Sequence, residues 1–166
     1  MQNSIQTIQV HTTPAYEVSI GSGLLHICGQ YLRTVLAPCH VAVITDSTLA
    51  SLYLEPVTSS LKEAGFTVSS FVFPAGEESK NGNIYLELLS FLASNGLTRT
   101  DLIVALGGGV VGDLAGFAAA TFLRGIRFIQ VPTTLLAAVD SSVGGKTAVD
   151  LKNGKNLAGA FYQPSL

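Results

Sequence analysis

Residues 101–113, DLIVALGGGVVGD, constrain this chain more than any other stretch. An apolar run from Leu102 to Leu106 breaks into Gly107, Gly108 and Gly109, and two valines later come Gly112 and Asp113. A short apolar run reads as a buried strand. Glycines at its end let the backbone turn tightly and approach a ligand without Cβ interference. A helix starting near Gly112 then aims free N–H groups and its dipole at that ligand, an arrangement suited to phosphate. The expectation is a strand–turn–helix unit holding a nucleotide or a phosphorylated molecule.

At 166 residues the chain is one domain, or one and a fraction. Charged residues are 12% of it and the mean hydropathy is +0.45, against about 25% charged in a typical soluble domain. A membrane span needs about 20 apolar residues in a row. The nearest approach, residues 102–123, is interrupted by Asp113 and by glycines, so no span is expected. The low charge reads as a buried parallel sheet under small-residue helices, or as surface that lies against a second domain or subunit. A net charge of −2 leaves no electrostatic footprint for nucleic acid. Met1 is followed by the polar QNSIQTIQ, which is no signal peptide, and a cytoplasmic location is expected. Cys28 and Cys39 read as core filler. His11, His26 and His40 fit no zinc spacing, so no metal site is expected within the chain.

The order of elements reads as α/β. A strand pair, SIQTIQV and AYEVSIG, flanks a turn at residues 11–14. Residues 23–37 have helical spacing, HVAVITD is a buried strand, and helical stretches lie on either side of Pro56. FTVSSFVFP is a strand, residues 82–94 a helix, and GDLAGFAAATFLRG and RFIQVPTT a further helix and strand. Strands alternating with helices signal a Rossmann-like parallel sheet. Ligands of such sheets bind outside the carboxyl ends of the strands. Those ends are Asp46, residues 75–80, Gly107–Gly109 and residues 132–134. Each has a plainer alternative: Asp46, Thr133 and Thr134 as helix caps, Glu77 and Glu78 as a solvated turn.

Gly107, Gly109 and Gly112 match the dinucleotide fingerprint in the right context. The acid that should close the next strand is missing, because RFIQVPTT has no carboxylate. Asp46 or Glu77 could take the ribose instead. Gly144-Gly145-Lys146-Thr147 resembles the tail of a P-loop, but Asp140 occupies the place of its first glycine, which argues against triphosphate binding. The remaining polar segment, 133–156, could be surface helix, with Lys146 after two glycines as an anion-binding cation. Arg124 is either another anion ligand or a charge at a helix C-terminus.

Taken together, GGGVVGDLAGFAAATFLRGI, VPTTLLAAVDSSVGGKTAVD, KNLAGAFYQP, TDST at 45–48 and GEESK at 76–80 resemble the dehydroquinate synthase family of NAD-dependent sugar phosphate cyclases. The resemblance spans essentially the whole chain. It implies conversion of 3-deoxy-arabino-heptulosonate 7-phosphate to 3-dehydroquinate, with NAD used catalytically, in the shikimate pathway to aromatic amino acids. It implies that Asp46, Glu77 and Lys80 contact adenosine, and that Gly108, Gly109 and Val110 lie under the pyrophosphate. Asp113, Thr133 and Thr134 would position the nicotinamide half. Asp140, Lys146, Lys155 and Asn156 would sit at the junction of NAD and substrate, with Lys146 and Asn156 on the sugar phosphate. Arg124 would reach a neighbouring subunit across a homodimer. The family's zinc or cobalt ligands, a glutamate and two histidines, belong to a C-terminal helical domain beyond Leu166, so residues 1–166 are expected to be the NAD-binding N-terminal domain, inactive alone. Cyclases making deoxyinosose or a valiolone, metal-dependent alcohol or glycerol dehydrogenases, and a stand-alone NAD-binding module are the competing readings.

Overall fold

The computed structural model describes residues 5–165, so Ser4, expected to open the first strand, lies outside the described residues. Strands β1 (Gln6–Val10) and β2 (Tyr16–Ile20) form the anticipated antiparallel pair, from Gln6 opposite Ile20 to Val10 opposite Tyr16. Helix α1 (Leu24–Val35) leads to β3 (His40–Asp46), whose bounds are those of HVAVITD. A short α2 (Ser47–Leu49) and a π-helical turn (Ala50–Leu54) run into α3 (Glu55–Glu63). Pro56 lies in the first turn of α3, directly after the π-helical turn. Then follow β4 (Thr67–Phe73), α4 (Gly82–Ser94), β5 (Leu102–Gly107), α5 (Gly109–Thr121) and β6 (Arg127–Pro132).

Strands β3 to β6 form a four-stranded parallel sheet in the order β4-β3-β5-β6. Residue alternation along the central strands splits the core in two, because successive side chains point to opposite faces. Val41, Val43, Leu102, Val104 and Leu106 face one core with Leu32 of α1 and Val57 and Leu61 of α3. Ala42, Ile44, Ile103 and Ala105 face the other with Leu88 and Leu92 of α4 and Leu114 and Ala118 of α5. The fold is thus the expected α/β sandwich, helices on both faces. The chain leaves β3 toward one edge and returns across it to β5, so the topological switch point lies between β3 and β5. Their ladder runs from Val41 opposite Leu102 to Ile44 opposite Ala105, and beyond it the buried Thr45 hydroxyl donates to the Leu106 carbonyl at 2.8 Å.

Two expectations need correction. Helix α5 starts at Gly109, not near Gly112, and ends at Thr121, with a 3₁₀ turn (Phe122–Arg124) after it. Gly112 instead lets α5 lie close to β6, since a Cβ there would come within 2.7 Å of Gln130 Oε1. The polar segment is not surface helix. After a π-helical turn (Ala137–Ser141) it forms a hairpin of β7 (Lys146–Leu151) and β8 (Gly154–Phe161), packed on α5. Gly144 and Gly145 both have positive φ and lead into β7, not into a helix, so the P-loop likeness has no structural counterpart.

Candidate functional site

The turn from β5 into α5 has the geometry the glycines require. Gly108 is the extended N-cap, and the first intrahelical bond runs from Gly112 N to Gly108 O at 3.0 Å. The N–H groups of Gly109, Val110 and Val111 therefore have no acceptor within the helix. Thr134 Oγ1 accepts the Ala137 N–H at 3.2 Å and Asp46 Oδ1 accepts those of Thr48 and Leu49 at 2.9 Å, so both also cap helical turns. Thr133 differs, because its Oγ1 is buried and has no hydrogen-bond partner among the described residues.

Beside this turn sits a charge cluster centred on Lys80, which is 4% exposed. Its Nζ donates to Asn156 Oδ1 at 2.8 Å and to Asp113 Oδ2 at 3.2 Å. Glu77 Oε1 lies 3.3 Å away and Asp150 Oδ1 3.8 Å away. Lys155 pairs with Glu77 from outside at 3.2 Å. Burial opposes the Lys80 charge, but Asp113 and Glu77 outweigh it and hold the ammonium pKa above its ordinary value. Burial pushes the Asp113 carboxyl up, and Glu77 and Asp150 add to this against the pull of Lys80. Partial burial also works on Glu77, yet Lys155 and Lys80 overcome it and its pKa falls.

Asp113, Asp140, Lys146 and Asn156 line one cleft of about 460 Å³ between α5, the Ala137–Ser141 turn and the β7–β8 hairpin. Lys146 Nζ meets Asp140 Oδ1 at 3.1 Å in an exposed pair across it. The structure thus gathers thirteen of the sequence-derived site residues around the carboxyl ends of the sheet: Asp46, Glu77, Lys80, Gly108, Gly109, Val110, Asp113, Thr133, Thr134, Asp140, Lys146, Lys155 and Asn156. Arg124 is not brought there. It is exposed, at φ 66°, past the far end of α5, about 20 Å along the helix from Gly109. Asp150 was missed as part of the cluster, because its place depends on the unrecognised hairpin. Asn153-Gly154, between the segments TAVDL and NLAGAF, was the signal for it. Among the described residues, no group of three or more His, Cys, Asp or Glu side chains could hold a metal ion, and no helix is long and apolar enough to cross a membrane.

The family model for the 3-dehydroquinate synthase N-terminal region matches residues 70–166. The chain belongs to the 3-dehydroquinate synthase family. It is 53% identical over 152 residues to a 3-dehydroquinate synthase of Cereibacter sphaeroides, which covers 92% of this chain and 41% of that protein. It therefore spans less than half the length of that relative. Among solved structures, a 2-deoxy-scyllo-inosose synthase complexed with carbaglucose-6-phosphate, NAD⁺ and Co²⁺ superposes with a TM-score of 0.87 at 32% identity, over 96% of this chain and 44% of that one. ValA, the 2-epi-5-epi-valiolone synthase of Streptomyces hygroscopicus subsp. jinggangensis, with NAD⁺ and Zn²⁺ bound, gives 0.82 at 27% identity, over 98% of this chain and 44% of that one.

Proposed function

We propose that this chain is the NAD-binding N-terminal domain of a 3-dehydroquinate synthase, a cytoplasmic lyase of the shikimate pathway. In this reading it acts on 3-deoxy-D-arabino-heptulosonate 7-phosphate as part of a longer, homodimeric, zinc- or cobalt-dependent enzyme. The observation that carries the reading is the convergence of the free α5 N-terminus, the Lys80 cluster and the cleft bearing Asp140, Lys146 and Asn156. The donor set suits NAD. Three unpaired N–H groups of α5 match a pyrophosphate, and the orphaned Thr133 hydroxyl offers a buried polar partner.

Each residue then has a defined task. Gly108, Gly109 and Val110 seat the pyrophosphate. Glu77 and the unused Oδ2 of Asp46 accept ribose hydroxyls, with Lys80 and Lys155 setting the charge of Glu77. Asp113, Thr133 and Thr134 orient the nicotinamide half. Lys146 and Asn156 hold the sugar phosphate, and Asp140 holds Lys146 in place until the substrate arrives. When bound, NAD would take up the hydride from the carbon bearing one substrate hydroxyl, whose O–H gives up a proton, and would return it later, so that the net reaction is elimination and cyclisation without redox change. The metal belongs to the remainder of the longer protein, and Arg124 serves the partner subunit's phosphate site.

The test is an assay of the longer protein with the heptulosonate phosphate. Phosphate release matched by dehydroquinate, without accumulating NADH, is expected. Net NADH would instead indicate a dehydrogenase, and turnover only with other sugar phosphates a deoxyinosose or valiolone synthase. The 166-residue chain alone is expected to bind NAD and to turn nothing over, even with zinc added.

A further inference from the structure

Asp150 lies in an irregular stretch of the hairpin, where the β7–β8 register shifts between Val149 and Leu151. Such a bulge re-aims a side chain out of the regular alternation. The Asp150 N–H donates to the Lys80 carbonyl at 2.8 Å, and Asp150 forms an isolated parallel bridge with Asn81. The backbone of the hairpin is thereby fastened to the segment that carries Lys80. Asp150 Oδ1 in turn accepts the Asn156 N–H at 2.8 Å. Asn156 has φ 57°, a left-handed conformation that is uncommon outside glycine, though asparagine tolerates it better than most residues. From that conformation its side-chain oxygen accepts from Lys80 Nζ at 2.8 Å. One residue thus fixes both ends of the Lys80–Asn156 bond, one through its N–H and the other through its carboxylate.

We infer that Asp150 is a positioning residue for the cofactor site, holding Asn156 in its left-handed conformation so that Asn156 and Lys80 stand preorganised at the NAD–substrate junction. The inference rests on the reading of this cluster as a cofactor site. It makes the acceptor oxygen of Asp150, not its charge, the functional feature, because the direct Lys80 contact at 3.8 Å is long while the Asn156 bond is short. The carboxylate adds a third negative charge beside Asp113 and Glu77, so its charge is not what the cluster lacks.

The test compares Asp150→Ala and Asp150→Asn in the 166-residue chain, with NAD titrated calorimetrically and the Asn156 amide followed by hydrogen exchange. Asp150→Ala is expected to weaken NAD binding about tenfold and to speed exchange at Asn156, as for loss of one hydrogen bond to a charged group. Asp150→Asn retains an acceptor oxygen and is expected to stay within about twofold of the parent in both measurements. Equal NAD binding by Asp150→Ala and the parent overturns the inference, and so does an Asp150→Asn variant as impaired as Asp150→Ala. If Asp150→Ala unfolds, Asp150→Asn decides alone: NAD binding and exchange within about twofold of the parent support the inference, and an about tenfold loss of binding overturns it. Failure of the parent itself to bind NAD refutes the cofactor reading, and the inference with it.

Discussion

Asp101 and Thr133 show how single polar residues here divide between stability and binding. Asp101 joins two strand starts: its Oδ1 accepts the His40 N–H at 2.8 Å, and its Oδ2 accepts from the Thr98 N–H at 2.7 Å and the Thr98 hydroxyl at 2.8 Å. Burial raises its pKa, but these donors outweigh burial and hold the carboxyl below the ordinary carboxylate value. A depressed folded-state pKa gives stability that is present above the unfolded value, near 3.9, and lost as pH falls through the folded one. Asp101→Ala is expected to lose about 2–3 kcal/mol at neutral pH in urea unfolding. The gap from the parent should narrow below about pH 4. Thr133 is the opposite case, since its buried hydroxyl has no hydrogen-bond partner among the described residues. Thr133→Val should leave the melting temperature unchanged or raised, while weakening NAD binding several-fold by titration. A drop in both would make the hydroxyl structural.

Among the elements, α5 and the β7–β8 hairpin depend on each other. A Cβ at Gly116 would collide with the Thr147 side chain, and Thr147 cannot swing aside without giving up its 2.8 Å bond to the Ala160 carbonyl. Gly116→Ala should therefore cost about 1–3 kcal/mol despite its better helix propensity, with NMR shifts concentrated in β7 and β8. Gly82, in the first turn of α4, has nothing within 4 Å of an added Cβ, so Gly82→Ala should be neutral or stabilising by up to about 1 kcal/mol. This pair of elements also marks where sequence reading stopped. The periodicity of HVAVITD, DLIVALGGG and residues 82–94 is strong because those residues face a core, and it set these strands and this helix correctly. The hairpin was missed despite Asn153-Gly154, because β8 is largely exposed and polar at its start, so its pattern resembles a surface segment. Lys80, Glu77 and Asp113 were assigned roles one at a time, whereas their joining into one cluster with Asp150 depends on tertiary packing across α5. Arg124 was read either as an anion ligand or as a charge at a helix C-terminus, and the structure puts it just past the end of α5.

On the scale of the whole molecule, the low charge has a location. Leu135, Leu136 and Phe161 are 80%, 70% and 86% exposed. Large apolar side chains so exposed mark surface suited to contact. Replacing Leu135 and Leu136 by serine is expected to reduce dye binding and self-association of the chain without lowering its melting temperature. The account as a whole stands on the carboxyl edge of the sheet being an NAD site. That claim is tested most directly by titrating NAD into the isotope-labelled chain and following backbone amides by NMR. The account predicts saturable shifts at Gly109, Val110 and Val111, joined by Lys80 and Asn156. Shifts that never saturate, or that leave the α5 N-terminus untouched and gather instead in the groove that Tyr16, Ile20, Leu24 and Cys28 line between β2 and α1, would contradict it.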